Sequence, residues 1–277
     1  NPLVGDVSGN VDKLIKIRSN LDVDVDLLVA PELYISGYPI DDLVLREDFL
    51  NLVEIEIKRL VENTKDGKSA IIFGAPRRDN TLIKNSVYVV ENGKIGAIKD
   101  KYELPNTGVF DEQRIFSEGE LEDCVKIKDI NFGLPICEDI WEKTVLDNLS
   151  KSGAEIIIAI NASPFTISKS SERNHIALSR VKETKLPLIY LNRTGGQDEL
   201  IFDGTSFALN HDGNRFFCSA EFEEEISILD FERKNGKWIG NGNITKSSSE
   251  IERLYKALVL GLRAVSYTHL RAHETVS

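Results

Sequence analysis

The chain has 277 residues, of which 41% are hydrophobic, and 45 acidic against 34 basic side chains give a formal net charge of −11. That apolar content, with 12 Phe and 2 Trp, excludes a disordered chain, and no apolar run approaches the ~20 residues needed to cross a bilayer, so a soluble protein is expected. The acidic excess argues against a nucleic-acid groove, where phosphates demand clustered Lys and Arg. At about 150 residues per domain the length suggests two domains, but single α/β domains reach about 250.

Val11, Leu14, Ile15, Arg18 and Leu21 follow helical spacing behind Asn10, a good N-cap residue. The continuous apolar run Leu27-Leu28-Val29-Ala30 ends at Pro31-Glu32 and predicts a buried strand with Glu32 at its C-terminal end. Residues 41–63 carry helical apolar spacing at Leu45, Phe49, Leu52, Val53 and Leu60, with Asp41 and Asp42 as caps. Ala70 to Gly74 reads as another buried strand. Ser86–Val90 and Lys94–Ile98 flank Asn92-Gly93, a strong hairpin signal, and the second strand runs into Asp100-Lys101. After a polar loop from Glu103 to Glu120, Asn131 to Ile136 predicts a strand reaching Cys137. A helix over 142–152 follows, stopped by Gly153.

Ile156 to Ile160 is a β-branched buried strand leading into Asn161-Ala162-Ser163-Pro164, and a helix over 171–185 precedes the strand Leu188–Leu191. Short strands and turns dominate from Thr205, with a turn at His211-Asp212-Gly213-Asn214, and Ser249 to Ala264 reads as a helix. The alternation gives a layered α/β or α+β fold. Methionine is absent, so an initiator is expected upstream. Residues 265–277, VSYTHLRAHETVS, break the helical pattern, resemble the translated frame of a sequencing adapter, and carry His269 and His273, half of the four histidines. They are set aside as a non-native tail.

Cys124, Cys137 and Cys218 have no C-x-x-C spacing, which fits neither a disulfide framework nor a zinc site and points to a reducing cytoplasm. Glu32, Lys101 and Cys137 all fall at the ends of predicted strands, where such folds build their sites. A cysteine entering a helix N-terminus favours its thiolate. A nearby carboxylate can carry the proton and an ammonium can stabilise the oxyanion of an attacked carbonyl, so the three together would hydrolyse an amide. Each alone has a blander reading: a core cysteine, a surface glutamate, a solvated lysine.

Several other features read as structural. His175 lies on a predicted helix and is better placed in solvent or core than in a Cys–His dyad. His211 is expected to be exposed, and Trp141 and Trp238 read as packing. Gly195-Gly196 lacks the surroundings of a phosphate loop. Glu221, Glu223, Glu224 and Glu225 read as a solvated acidic face.

The segments around the three reactive side chains carry a resemblance. Pro31-Glu32-Leu33 with Ser36-Gly37-Tyr38-Pro39, Lys101-Tyr102-Glu103-Leu104-Pro105-Asn106 and Pro135-Ile136-Cys137-Glu138-Asp139-Ile140-Trp141 resemble the nitrilase (carbon–nitrogen hydrolase) superfamily in its order, Glu then Lys then Cys. NASPF at 161–165 with Lys169, GGQDELIFDGTSFALNHDG at 195–213 and VFDEQRIF at 109–116 are similar to the glutaminase domains of glutamine-dependent NAD⁺ synthetases. The resemblance covers residues 1–264.

It implies an α+β fold, a four-layer αββα sandwich with its first strand clipped. A hydrolase domain would span 1–248, and 249–264 would be a helix leading into an absent synthetase domain. It further implies Glu32 as general base, Lys101 as electrophile, Cys137 as nucleophile forming a glutamyl thioester, and Glu112 as a second acid orienting the lysine or the substrate amine. Ser163 and Lys169 would bind the α-substituents of L-glutamine, and Tyr38 and Phe110 would line the pocket. Thr107 stands where the family usually has Tyr, which exchanges an aromatic wall for a hydroxyl. No cofactor or metal is implied for this domain; ATP and Mg would belong to the synthetase domain, which would use the ammonia to convert deamido-NAD⁺ to NAD⁺. The implied partners are that domain and further copies of the chain in a cytoplasmic homo-oligomer, with no nucleic acid and no membrane. A stand-alone hydrolase of another small amide and a non-catalytic scaffold of the same fold are the alternative readings.

Overall fold

A computed structural model describes residues 1–21, 24–106 and 108–270. The chain divides into two compact units, one over 2–160 and the other from Asn161 onward together with Asn1. Among the described residues no helix is long and apolar enough to cross a membrane.

In the first unit, α1 (Val7–Ser19) is capped by Asp6, whose carboxylate accepts from the Gly9 N–H at 3.0 Å. Asn10 is not the cap expected from the sequence. It is buried one turn inside, accepts from the Leu3 N–H at 2.8 Å and donates to the Leu3 and Ile35 carbonyls at 2.8 and 3.1 Å. Asp6 wins because the apolar stripe begins earlier, at Val7, and continues through Val11 and Leu14, all buried. After β1 (Leu27–Val29), the helix expected over 41–63 appears as a 3₁₀ turn, Asp41–Leu45, and α2 (Glu47–Asn63), divided at the extended Arg46; neither Asp41 nor Asp42 caps through its side chain. The buried Arg18 at the end of α1 donates to the Ser69 and Asn63 carbonyls, each at 3.0 Å, and pairs with Asp66.

β2 (Ala70–Asp79), β3 (Leu82–Glu91) and β4 (Lys94–Asp100) complete a sheet in the order β1-β2-β3-β4. β1 runs parallel to β2, and the other two pairs are antiparallel. β3 and β4 turn through Asn92 and Gly93, with φ of 51° and 72°, as their left-handed preference allows. β2 outruns its apolar segment by five residues because its pairing with β3 persists to Asp79↔Leu82. Two antiparallel steps make β4 point the same way as β1, so both strands deliver their C-terminal ends to one edge of the sheet.

β5 (Val125–Ile127) and β6 (Ile130–Gly133) form a hairpin, and after α3 (Lys143–Lys151) the strand β7 (Ile156–Asn161) pairs in parallel with β6. An isolated bridge, Ile136 to Ile160, extends that parallel pairing to the residue before Cys137.

The second unit begins at the last residue of β7. It contains α4 (Lys169–Thr184), β8 (Leu188–Asn192), β9 (Thr194–Gln197), β10 (Leu200–Asp203), β11 (Phe207–Leu209), β12 (Arg215–Cys218), β13 (Asp230–Lys234), β14 (Lys237–Asn241) and α5 (Glu250–Leu270). β8, β11 and β12 pair antiparallel in that order, and β9–β10 and β13–β14 are hairpins. Inside, the Arg173 guanidinium is fully buried. It pairs with Asp203 at 2.8 Å, donates to Ser163 Oγ at 3.1 Å and reaches the Ser163 and Pro164 carbonyls at 2.7 and 2.8 Å.

Three expectations change here. Glu221 does not share a solvated face with the exposed Glu223–Glu225: it is buried, accepts from the Ser248 N–H at 3.0 Å and lies 3.4 Å from Arg253. His211 is half-buried in its turn. The helical break expected at 265 does not stop the backbone, and α5 continues to Leu270. The segment 265–270 contains neither Gly nor Pro, so a helix already nucleated propagates through it residue by residue.

Candidate active site

All the residues of the candidate centre lie in the first unit. Lys101 Nζ sits 2.8 Å from Glu32 Oε1, 2.8 Å from Glu112 Oε2 and 3.0 Å from Glu112 Oε1. Relative exposures are 0% for Glu32, 1% for Lys101 and 5% for both Glu112 and Cys137. Tyr38 donates its phenol to Glu112 Oε1 at 3.1 Å, and Asn85 Nδ2 donates to Glu32 Oε1 at 2.9 Å. One buried ammonium thus joins two buried carboxylates supplied by segments 80 residues apart, at 32 and 112.

The sheet explains how they meet. β1 and β4 are three strand spacings apart, about 14 Å, too far for Glu32 and Lys101 to touch if each left its strand straight ahead. The chain after β1 instead crosses over β2 at Gly74, where the Gly74 N–H donates to the Pro31 carbonyl and the Ile35 N–H to the Gly74 carbonyl, each at 3.2 Å. A Cβ at position 74 would lie 2.2 Å from Leu33 N and 2.7 Å from Glu32 Cα, so only glycine admits the crossing. Leu33 turns the chain with φ of 47°. On the other side the Lys101 N–H donates to the Asn85 carbonyl and the Gly119 N–H to the Lys101 carbonyl, both at 2.8 Å. Arg77 locks the preceding Asp100 with two bonds of 2.8 and 2.6 Å.

Cys137 opens a four-residue 3₁₀ turn, Cys137–Ile140, with φ of 48°. A non-glycine residue in that region is strained, and such strain collects at functional sites. Asp139 clamps the turn: its Oδ1 accepts from the Tyr102 and Glu103 N–H groups at 3.1 and 2.8 Å and its Oδ2 from the Ile136 N–H at 2.8 Å. The backbone just after Lys101 is thereby tied to the backbone just before Cys137.

The electrostatics correct one expectation. No full helix N-terminus lies at Cys137, and its thiol is held well above its ordinary range, by burial first and by the Glu32 charge next, with Lys101 opposing. The resting sulfur is therefore a neutral thiol. Burial alone would lower the Lys101 ammonium, but the Glu112 and Glu32 carboxylates more than offset it and leave the group raised. Burial, helped by Glu32, raises Glu112 against the pull of Lys101, and burial with the Glu112 charge raises Tyr38. Burial pushes Asp139 up to about 7 despite its three N–H donors.

Of the other residues expected at a site, Phe110 is half-buried and Thr107 lies outside the described residues. Ser163 and Lys169 belong to the second unit. Ser163 is buried, its Oγ accepting from Arg173, and Lys169 opens α4 with Glu172 3.5 Å away. Sequence reasoning missed Asn85, Gly74 and Asp139. The available signal was weak: a polar residue among the apolar positions of β3, a glycine closing a buried run, and a second acid two places after the cysteine. Among the described residues no group of three or more His, Cys, Asp or Glu could hold a metal ion.

The carbon-nitrogen hydrolase family matches residues 1–237. The chain belongs to the carbon-nitrogen hydrolase family. This hydrolase chain is 36% identical over 265 residues to the glutamine-dependent NAD(+) synthetase of Rhodobacter capsulatus, a match covering 95% of the chain and 48% of that protein. It is 34% identical over 267 residues to the synthetase of the same name from Acinetobacter baylyi, with the same coverage. The solved glutamine-dependent NAD⁺ synthetase of Acinetobacter baumannii superposes with a TM-score of 0.88 at 30% identity, over 96% of this hydrolase chain and 50% of that one. The chain spans about half the length of the curated relatives it matches. An amidase of the nitrilase superfamily from Nesterenkonia AN1, at 17% identity and a TM-score of 0.68 over 79% of the chain and 83% of its own, shares the fold. The α+β fold expected from the sequence is that of the nitrilase superfamily.

Proposed function

We propose that this chain hydrolyses the side-chain amide of L-glutamine through a thioester on Cys137. The observation that carries the reading is the buried Glu32–Lys101–Glu112 contact, with a neutral thiol subject to the field of all three. Because the thiol rests protonated, its proton must leave for the sulfur to attack: the Cys137 S–H proton passes to Glu32 and the sulfur bonds the amide carbon. The Lys101 ammonium, kept charged by its two carboxylates, stabilises the oxyanion. Glu32 returns the proton to the leaving nitrogen, ammonia departs, and the thioester remains. Water then attacks the thioester with Glu32 as base, releasing glutamate and restoring the thiol.

Glu112 and Tyr38 keep Lys101 in place rather than reacting. The resemblance implies Ser163 and Lys169, both in the second unit, for the α-substituents of glutamine, which a hydroxyl and a cation suit. Phe110 would contribute to the pocket wall. The steps in this chain require no cofactor. The relatives' name, glutamine-dependent NAD(+) synthetase, supports a use of the ammonia in making NAD⁺. We further propose that an ATP- and Mg-dependent synthetase portion consumes it in converting deamido-NAD⁺ to NAD⁺, in a cytoplasmic homo-oligomer. An electrophilic glutamine analogue should label Cys137 and neither Cys124 nor Cys218, and Cys137→Ala should abolish glutamate release. Labelling without glutamate release would point to a different small amide, and a folded chain with no labelling would overturn the reading.

A further inference from the structure

Asn85 touches both halves of the catalytic pair. It lies on β3, is 1% exposed, donates from Nδ2 to Glu32 Oε1 at 2.9 Å, and through its backbone carbonyl accepts the Lys101 N–H at 2.8 Å. Glu32 Oε1 therefore receives two donors, the Asn85 amide and the Lys101 ammonium at 2.8 Å. The other end of the amide, Oδ1, is buried without a hydrogen-bond partner. Buried polar atoms are seldom left in that state, and an exception at a functional site calls for a reason. Rotating the amide would set Oδ1 against Glu32 Oε1, acceptor to acceptor, so the orphaned oxygen is the consequence of holding the carboxylate.

We infer that Asn85 is a positioning residue that fixes the Glu32 carboxylate by its Oε1 for proton transfer with the thiol. A carboxylate pinned at one oxygen keeps a constant direction toward its reaction partner. This rests on the proposed roles of Glu32 and Cys137 but not on glutamine as the substrate. Lys101, Glu112, Tyr38 and Cys137 are the other ionisable groups acting on this pair. In Asn85→Asp a second carboxylate would stand in contact with Glu32, and the pair would retain a proton to higher pH.

The test is the rate at which iodoacetamide alkylates Cys137, measured against pH in wild type, Asn85→Asp and Asn85→Ala, with melting temperatures alongside. Asn85→Asp should move the acid limb upward by about one pH unit or more, and Asn85→Ala should slow alkylation about tenfold or more at the plateau. A structural residue would shift the melting temperature and leave both the limb and the plateau where they are; that result overturns the proposal. If Asn85→Asp does not fold, Asn85→Ala decides alone through its plateau. Glutamate release by wild type, assayed separately, tests the glutaminase reading, so the two can fail independently.

Discussion

Lys101→Met is the most informative single change. The lysine ammonium bonds both Glu32 and Glu112, at 2.8 Å to each, and all three side chains are buried. Removing it leaves two buried carboxylates without the ammonium that bridges them, and breaking a buried ion pair in this way costs about 3–5 kcal/mol. For a chain of this size that is a fall in melting temperature of roughly 5–9 °C. One of the two acids should take up a proton to reduce the loss, and where that acid is Glu32 the proposed base is disabled. Glutamate release should then fall by at least about 10³-fold, the scale of losing an oxyanion donor.

The second arm is Lys101→Met combined with Glu112→Gln. Taking away the Glu112 charge should recover part of the lost stability and none of the activity, giving a coupling energy of about 1–3 kcal/mol in the cycle. Calorimetry and a coupled glutamate assay read the two quantities. If Lys101→Met melts with wild type, or the double variant recovers nothing, the ammonium is not what holds the two acids, and the account of the site fails.

Gly74→Ala should displace the chain at Glu32, because the added carbon meets backbone atoms at 2.2 and 2.7 Å; activity should be lost with a marked fall in stability, and a wild-type rate would disprove the crossing. The raised carboxyl of Asp139 makes stability pH-dependent. The unfolded acid ionises near its ordinary value of 3.8 but the folded one only at about 7, so the unfolded state binds fewer protons between them and stability falls as pH rises from about 4 to about 7. Three pH units correspond to at most about 4 kcal/mol. Asp139→Asn should flatten that slope in urea titrations at pH 5 and 8, and an unchanged slope would refute the assignment. Tyr38→Phe removes a donor from a buried carboxylate, worth about 1.5–3 kcal/mol. Because Tyr38 is held well above its ordinary range, the alkaline limb of kcat/KM should be the same in Tyr38→Phe, and a moved limb would show that the phenol titrates.

Local physics made most of the elements legible in the sequence. Continuous apolar runs marked β1 and β7, and Asn92-Gly93 turned β3 into β4 because only left-handed residues join two twisted strands so tightly. Boundaries that depended on a distant partner were misplaced. Asn10 looked like a cap because its long-range amide bonds to Leu3 and Ile35 cannot be seen in a row of letters. Glu221 looked solvated because Arg253 and Ser248 are about 30 residues away.

The reactive residue types and their order could be read from the motifs, since each motif is a local run. Their meeting could not. It required two strands at opposite sides of one sheet to point the same way, a glycine on the strand between to let the chain cross, and a lysine long enough to reach both acids. Nor could any pattern of letters settle the charge of Cys137, which depends on how much water the folded chain removes from around it. Residue types decided what chemistry was available; burial and register, which are properties of packing, decided that an ammonium and two carboxylates share one dry contact.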